Sequence, residues 1–440
     1  MDIPGINRSL YRLTICLAVL IQFVASSASS GEYSSDISET EKKPYSFGGY
    51  AEFRPVYITL DRNAAFYKLK FYDQGNPAGT NEWNFKLQPE ASYECGIAQL
   101  YGRGNFDFNR SYTGWAGDYS LYEGYLSIKP SSSLDVVVGQ KTLKWGKGYA
   151  WNPVAFIDRP KDPEDPEIPR EGYEVVTADY TASFDGPLRT IGFSPVLIPV
   201  TADINGDLGS GKRLNATGKL YCLLYDTDLD VMFLARDNGP ADFGMDFSRN
   251  LRPELEIHGE AAMETNYTKT TIDRKGNSFE STGPVSSFLL GMRYQARTDA
   301  ILIAEYYHNG KGYRASEMED FFMFADLAYS TYLVNGNNAL LQRASRASAG
   351  SYGTVNPMLD YLYLRASQPE PFNILYLTPS LTCMANLGDG SFSVAPEVLY
   401  TRITNLELRL KAMALSGAPG SEFGEKAGDV RYELRARYYF

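Results

Sequence analysis

The chain has 440 residues, of which 44% are hydrophobic and 22% are charged, and its formal net charge at pH 7 is −11. This charge excludes nucleic acid as the default partner, because a protein that binds phosphates needs a basic surface. The four cysteines are too few for a disulfide scaffold, and 33 tyrosines with 23 phenylalanines make the composition strongly aromatic.

The N-terminus has the pattern of a secretory signal peptide. Arg8 and Arg12 precede an apolar stretch over residues 13–24, and small residues follow at 25–28. This stretch is too short to cross a bilayer as a helix. We therefore predict that residues 1–28 are a signal peptide and that 29–45 form a short periplasmic segment.

From residue 46 to the end, polarity alternates with a period of two, which is typical of strands between two different environments. Between residues 83 and 94, Trp83, Phe85 and Leu87 share one face, and Asn84 and Lys86 share the other. The pattern predicts about eighteen strands: 46–60, 82–92, 97–108, 119–129, 133–142, 173–184, 187–199, 214–225, 229–237, 240–248, 252–265, 283–296, 299–309, 358–367, 371–386, 391–402, 405–416 and 430–440.

The connections between these strands alternate between long and short. Residues 61–81, 143–172 and 310–357 are long connections, whereas 95–96 and 368–370 are short turns. Because an even number of strands with long loops at one rim is typical of outer-membrane barrels, we predict an all-β fold, a transmembrane antiparallel β-barrel over residues 46–440. Lipid around a closed sheet explains the aromatic composition, since aromatic rings favour the membrane interfaces.

A soluble β-sandwich or propeller is the alternative fold, because its strands also alternate. Soluble strands are usually about five or six residues long. The predicted strands are nearer the roughly 9–11 residues that a tilted strand needs to cross a bilayer. This length favours a barrel in the outer membrane of a Gram-negative bacterium, surrounded by outer-membrane lipid.

Residues 143–172 form an unusual connection, rich in proline and tryptophan. Proline at this density prevents both helix and ladder pairing, and the tryptophans offer apolar anchors. We therefore predict that the connection folds inward and narrows the pore; the alternative is an exposed surface loop. The candidate constriction residues are Trp145, Trp151, Asp158, Arg159, Asp162, Glu164, Asp165 and Glu167.

About eighteen strands enclose a water-filled lumen, whose inward charges determine what passes. The alternation predicts an acidic wall of Glu254, Glu256, Glu260 and Glu264. It also predicts a basic arc of Arg54, Arg293, Arg365, Arg409, Lys411, Arg431, Arg435 and Arg437. Loop carboxylates opposite this arc would create a transverse electric field that orients dipolar solutes. Alternatively, the basic side chains pair along the strands with Glu52, Glu407 and Glu433.

The connection 310–357 contains a predicted helix. Ser316 offers an N-cap, Glu317 and Glu319 make the first turn acidic, and residues 323–341 continue in a helical pattern. This partly helical extracellular loop would cover the pore or bind a partner, or it would simply decorate the rim.

The chain ends on a strand with aromatic residues. Tyr438 lies on the apolar face of this strand, and Phe440 is the last residue. This ending resembles the terminal assembly signal of Gram-negative outer-membrane proteins. The resemblance implies recognition by the barrel-assembly machinery.

Several short motifs also resemble one barrel family. They are Glu123–Ile128, Val138–Gln140, Trp145–Gly146, Asn152–Pro153 and Arg170–Gly172. Together they are similar to the strand, hairpin and Trp-Gly loop of an uncharacterised proteobacterial outer-membrane family of porin-like and alginate-export-like barrels. The resemblance covers about 50 residues and implies a solute channel.

These features predict a porin-like channel for passive diffusion of small hydrophilic solutes or ions, without a cofactor or a metal. An outer-membrane enzyme is another alternative, but His258 and His308 are the only histidines in the sequence and neither has an evident nucleophile nearby. A receptor driven by energy coupling would need a large domain before the barrel. A barrel sheath around multihaem cytochromes is a further alternative, in which any haem would belong to the partner.

Overall fold

The computed structural model describes residues 43–209, 211–237 and 239–440, so the predicted signal peptide and most of the segment 29–45 lie outside the described residues. Within them the chain forms eighteen antiparallel strands. They are β1 (Tyr45–Leu60), β2 (Gly79–Cys95), β3 (Ala98–Ser111), β4 (Gly114–Ser131), β5 (Leu134–Lys141), β6 (Tyr173–Ser183), β7 (Leu188–Val200), β8 (Arg213–Leu224), β9 (Thr227–Ala235), β10 (Asp242–Arg252), β11 (Leu255–Ile272), β12 (Ser278–Gln295), β13 (Ile301–His308), β14 (Asp360–Ser367), β15 (Leu377–Asn386), β16 (Phe392–Tyr400), β17 (Leu406–Ser416) and β18 (Gly428–Tyr439).

The sheet closes on itself. Each strand pairs with its neighbours in sequence, and β18 pairs with β1, where Tyr439 lies opposite Tyr50. Closure leaves no strand edge with unpaired backbone groups, which is the condition for a sheet in hydrocarbon. The predicted antiparallel barrel of about eighteen strands is therefore confirmed.

The two faces of the barrel differ in polarity. On β11, His258 and Glu260 are buried on the inner face, whereas Met263 is exposed on the outer face. The outer faces of other strands likewise present large apolar side chains, including Leu197 and Leu290. This apolar exterior around a closed barrel is the surface that lipid contacts, and the protein is an outer-membrane barrel.

The two rims of the barrel differ in the length of their connections. The turns that follow even-numbered strands are short, such as residues 96–97 and 225–226, and we call this end the short-turn rim. Connections 61–78, 142–172 and 309–359 all lie at the other end, the long-loop rim. In outer-membrane barrels the short turns face the periplasm.

Three helices lie at the long-loop rim: α1 (Ala65–Phe71), α2 (Ala315–Asn335) and α3 (Ala339–Ala347). The predicted N-cap at Ser316 was wrong, because the N-cap is Arg314, whose backbone N–H donates to Glu317 Oε2 at 2.8 Å. The predicted helical pattern is also interrupted at Gly336, where φ is +69°. Among the described residues, no helix combines the length and apolarity that crossing a membrane requires.

The helices pack into an apolar core that fills the outer part of the barrel. Phe321 of α2 stacks on Tyr352 with ring centroids 4.3 Å apart, and Tyr352 stacks on Tyr313 at 4.2 Å. Trp151 from the connection 142–172 and Tyr363 from β14 belong to the same core. Side chains of this core therefore occupy part of the long-loop end of the barrel.

Strand β15 begins six residues later than the sequence predicts. The predicted strand 371–386 begins at Leu377, and residues 371–373 form a short 3-10 turn. Pro371 has no N–H for the ladder, and Phe372 has a φ of +56°. These two features end the ladder before Leu377.

Candidate functional site: a loop across the barrel lumen

Residues 142–172, which we call the crossing loop, leave β5 and turn into the barrel. Asp158 fixes the first turn of this loop. Its Oδ1 accepts hydrogen bonds from the backbone N–H of Leu143 at 3.1 Å and Lys144 at 3.2 Å, and its Oδ2 accepts one from Trp145 at 2.9 Å. Further along, the loop contacts inner-face residues of β11, β13 and β18, which confirms the predicted inward fold.

Glu260, on the inner face of β11, is the first anchor of the crossing loop. Its Oε1 accepts the backbone N–H of Lys147 and of Gly148, each at 2.6 Å, and the Asn152 side-chain amide at 3.1 Å. Its Oε2 accepts the backbone N–H of Val154 at 3.3 Å. One wall carboxylate thus satisfies four donors of a segment that has no secondary structure of its own.

Glu305, on β13, is the second anchor. Its carboxylate accepts the backbone N–H of Tyr149 and, at 2.8 Å, that of Ala150. Its Oε1 also lies 2.9 Å from His258 Nε2. His258 packs against Gly291 of β12, where a Cβ would lie 2.0 Å from Nε2. The histidine therefore requires glycine at this position.

The opposite end of the crossing loop contacts β17 and β18. Glu164 Oε2 lies 3.1 Å from Arg431 Nη1, and Lys411 Nζ donates to the Glu164 carbonyl at 2.7 Å. Asp165 lies 2.5 Å from Arg435 and 3.5 Å from Arg409. Since the other anchors are on β11 and β13, the loop spans the lumen from one wall to another.

The two loop carboxylates differ in their electrostatics. Burial would raise the pKa of Asp165, but the guanidinium groups of Arg435 and Arg409 outweigh burial and hold the pKa below its usual value. At Glu164, burial raises the pKa more than Arg431 lowers it. Both carboxylates touch the basic arc. At these two residues the loop carboxylates meet the basic arc in direct ion pairs, and the transverse field stays a prediction.

The two tryptophans of the crossing loop are buried on different sides. Trp151 stacks on Tyr307 with ring centroids 5.1 Å apart, and its Nε1 donates to Asn356 Oδ1 at 3.2 Å. Trp145 packs in a separate apolar cluster with Val154 and other wall residues. Each end of the segment between them is therefore fixed by an aromatic side chain.

The remaining predicted constriction residues lie outside the contact with the basic arc. Arg159 pairs with Asp207 of the β7–β8 connection. Asp162 is exposed and accepts the backbone N–H of Glu164 at 2.9 Å. Glu167 accepts the Tyr149 hydroxyl at 3.3 Å.

The four glutamates of the predicted acidic wall lie in different surroundings. Glu254 lies in the β10–β11 turn at the short-turn rim, outside β11, so it does not share the inner face of that strand. Glu264 pairs with Lys311, and Glu256 Oε1 lies 3.7 Å from His258 Nδ1. With Glu260 bound to the crossing loop, these glutamates have four different environments rather than one acidic surface.

Most of the basic arc is paired along the wall. Arg437 lies 2.7 Å from Glu52, Arg409 lies 3.2 Å from Glu407, and Arg435 lies 3.0 Å from Glu433. Arg54 also contacts Glu52 and Glu433, and Arg365 contacts Glu397. These are cross-strand and same-strand ladders, and they occur together with the contacts to the crossing loop.

A cavity of about 610 Å³ lies between the crossing loop and the short-turn rim. Tyr149, Lys161 and Arg170 of the loop line one side, and His258 and Arg293 of the wall line another. His258 and Arg293 lie close to the short-turn ends of β11 and β12, which places the cavity on that side of the loop.

Two important side chains of the site, Glu305 and Lys161, were not predicted from the sequence. Glu305 was visible as a carboxylate in the apolar run Ile301–Tyr307, because a buried charge there needs a partner. In the sequence, Lys161 is one charged residue in a segment, 158–167, that contains acidic, basic and proline residues. No sequence signal distinguished it, because its partners are backbone carbonyls of the same loop.

No family model matches this chain, and no curated protein matches it. Among solved structures it is similar to OccK11 (OpdR) of Pseudomonas aeruginosa, with 10% identity, a TM-score of 0.49, and coverage of 90% of this chain and 96% of that one. A triple mutant of the Rhodopseudomonas blastica porin is similar with 10% identity, a TM-score of 0.43 and coverage of 90% and 100%. At these values the similarity concerns the fold alone.

Proposed function

We propose that this protein is an outer-membrane channel for passive diffusion of small hydrophilic solutes or ions, with the crossing loop as its narrowest part. The observation that carries this proposal is the position of the loop. It is bound to Glu260 and Glu305 on one wall and to Arg431 and Arg435 on another, inside a closed barrel with a charged inner face. The short sequence motifs that resemble porin-like and alginate-export-like barrels support the same proposal.

The contacts of the loop also weigh against the other candidates. A cytochrome in the lumen would have to displace the hydrogen bonds at Glu260 and the core around Trp151. An enzyme would need a nucleophile beside its base, whereas both ring nitrogens of His258 face glutamates. A channel requires neither displacement of these contacts nor a nucleophile, because a small solute passes beside the loop or after a limited movement of the loop.

Ion conductance of the purified protein in planar lipid bilayers is the direct test. We expect discrete single-channel steps that are smaller than those of a variant lacking residues 150–168, because the deletion removes the middle of the crossing loop. A second variant, Glu305→Gln, weakens one anchor without removing the loop, so the test remains valid if the deletion prevents folding. Absence of steps in the wild-type protein and in both variants would overturn the channel.

Liposome swelling adds a test of solute size. Vesicles that contain the protein should swell in small neutral sugars and swell more slowly as the sugar becomes larger. The Glu305→Gln variant should admit larger sugars than the wild type. Equal rates for both proteins at every sugar size would contradict the role of the crossing loop.

A further inference from the structure

The cavity below the crossing loop has an unusual set of charges. Two acidic side chains line it, Glu167 and Glu256. The six basic side chains that line it are Arg103, Lys144, Lys147, Lys161, Arg170 and Arg293. The lining is therefore strongly cationic, although the whole chain carries a net charge of −11.

Two of these six cations are neutralised by the wall. Arg103 Nη1 lies 3.2 Å from Glu123, and Lys147 Nζ lies 3.0 Å from Asp230. Among the described residues, the other four cations form no ion pair; they are Lys144, Lys161, Arg170 and Arg293. Basic side chains thus outnumber the acidic side chains of the lining, Glu167 and Glu256.

Lys161 and Arg170 are held in place by main-chain carbonyls. Lys161 Nζ donates to the carbonyls of Gly148 at 2.5 Å and Tyr149 at 3.1 Å. Arg170 Nη1 donates to the carbonyl of Arg159 at 2.6 Å. These carbonyls orient the two cations but supply no counter-charge. Burial lowers the pKa of the Lys161 ammonium, and the positive charge of Arg170 lowers it further.

Part of the remaining lining is apolar. Ile168, Pro169 and Ile303 line the same cavity. Its volume of about 610 Å³ lies within the range of roughly 300–1,000 Å³ that is typical of small-molecule sites. A ligand that suits this cavity has a short carbon skeleton for the apolar residues and an anionic group for the cations.

We propose that this cavity binds a small organic oxyanion, a carboxylate or a phosphate, through Lys161 and Arg170, with Arg293 contributing from the wall. Fixed cations that form no ion pair with a carboxylate are preorganised for such a group, since ammonium and guanidinium donors make strong charge-assisted hydrogen bonds to it. The cavity lies on the short-turn side, so the anion enters from the periplasm. That this anion is also a transported solute rests on the proposed channel; its binding does not.

Titration calorimetry on the purified barrel in neutral detergent tests binding directly. Succinate and inorganic phosphate are the probes, and uncharged succinamide is the control for succinate. We expect heat from at least one of the two anions and none from succinamide. Binding by succinate alone identifies a carboxylate site, and binding by phosphate alone identifies a phosphate site. Absence of binding by both anions overturns the proposal.

Substitutions then locate the site. Lys161→Gln and Arg170→Gln should each weaken binding of the anion about tenfold or more, because each removes a charged donor. Lys129→Gln is the matched control: it removes one positive charge near the same rim, outside the cavity lining, and should leave the affinity unchanged. Wild-type affinity in both Lys161→Gln and Arg170→Gln would overturn the assignment.

Two further measurements separate the possible failures. The heat-modifiable mobility of each variant on gels shows whether the barrel has folded. Arg293→Gln is included because it changes the barrel wall and leaves the crossing loop intact. Conductance is measured on the same preparations. Conductance without anion binding would support the channel and overturn this site. Anion binding without conductance would support this site and overturn the channel.

Discussion

The Glu260 carboxylate on the barrel wall accepts the backbone N–H of Gly148 at 2.6 Å, although 112 residues separate the two in the chain. The same oxygen accepts the N–H of Lys147, also at 2.6 Å. A single wall residue thereby holds the middle of the crossing loop away from the strands that the loop connects. Together with the contacts of Glu305, this contact binds the loop to the wall formed by β11 and β13.

Glu260→Gln should release the crossing loop. Glutamine has a single acceptor oxygen, and its amide N–H group would face the Val154 or Gly148 donor, so hydrogen bonds worth about 1.5–3 kcal/mol each are lost. We expect a larger single-channel conductance and a lower unfolding temperature. Glu264→Gln is the control, since Glu264 lies on the same face of β11 but pairs with Lys311. Equal conductance in both variants would contradict the anchoring role.

Gly291→Ala should displace His258 from Glu305. A Cβ at residue 291 would lie 2.0 Å from His258 Nε2, so the ring must move. We expect a loss of about 1–3 kcal/mol in the free energy of unfolding, as for other overpacked interiors. Gly283→Ala on the same strand has no neighbour within 4 Å of the new Cβ and should be neutral. Denaturant unfolding of the two variants in detergent measures the difference.

Trp151→Ala should separate the crossing loop from the helical core. Trp151 is buried against Tyr307, and truncation of a buried tryptophan typically costs about 3–5 kcal/mol. Trp115→Ala removes a tryptophan that is 66% exposed and should cost far less. The temperature at which the folded form disappears on gels compares the two variants. Equal temperatures would show that the Trp151 contact contributes nothing.

Low pH should release the crossing loop from β17 and β18, because it protonates Asp165, which pairs with Arg435 and Arg409. The folded pKa of Asp165 is below its ordinary value of 3.8, so its stabilisation is complete above that value and is lost as pH falls through the folded pKa. The loop should therefore remain anchored at pH 5 and become mobile well below pH 3.8. Asp165→Asn lacks this stabilisation at every pH, so it should show a higher conductance already at pH 7 and a smaller acid-induced change. If the conductance of the wild type and of Asp165→Asn changed with pH in parallel, the role of Asp165 as a loop anchor would be contradicted.

Removal of Phe440 should impair assembly of the barrel. The Phe440 N–H donates to the Gly49 carbonyl at 3.1 Å, and its ring lies 5.8 Å from that of Phe47. We expect a several-fold lower amount of folded protein in the outer membrane, because the predicted assembly signal is lost. Phe184→Ala removes an exposed aromatic residue from a short turn and should leave this amount unchanged. Quantitative immunoblotting of outer-membrane fractions makes the comparison.

Local patterns predicted the barrel better than the site. A strand such as β11 alternates because one face contacts lipid and the other does not, and this information is contained within a few adjacent residues. A segment such as 371–373 is misassigned because Phe372 adopts a positive φ that its residue type does not indicate. The inward direction of the crossing loop was predictable from its prolines and tryptophans. The anchors were not, because Glu260 and Glu264 have the same pattern and only one of them meets the loop.

The sequence by itself determined that this chain forms a closed, lipid-facing barrel of eighteen strands with its long loops at one end, because alternation and turn spacing are local properties. Only the tertiary structure decided which inward charges meet. Asp165 reaches Arg435, and Lys161 is left facing a cavity without a carboxylate partner among the described residues. The physical reason is that charge pairing depends on distances across the lumen, which the order of residues along the chain does not specify.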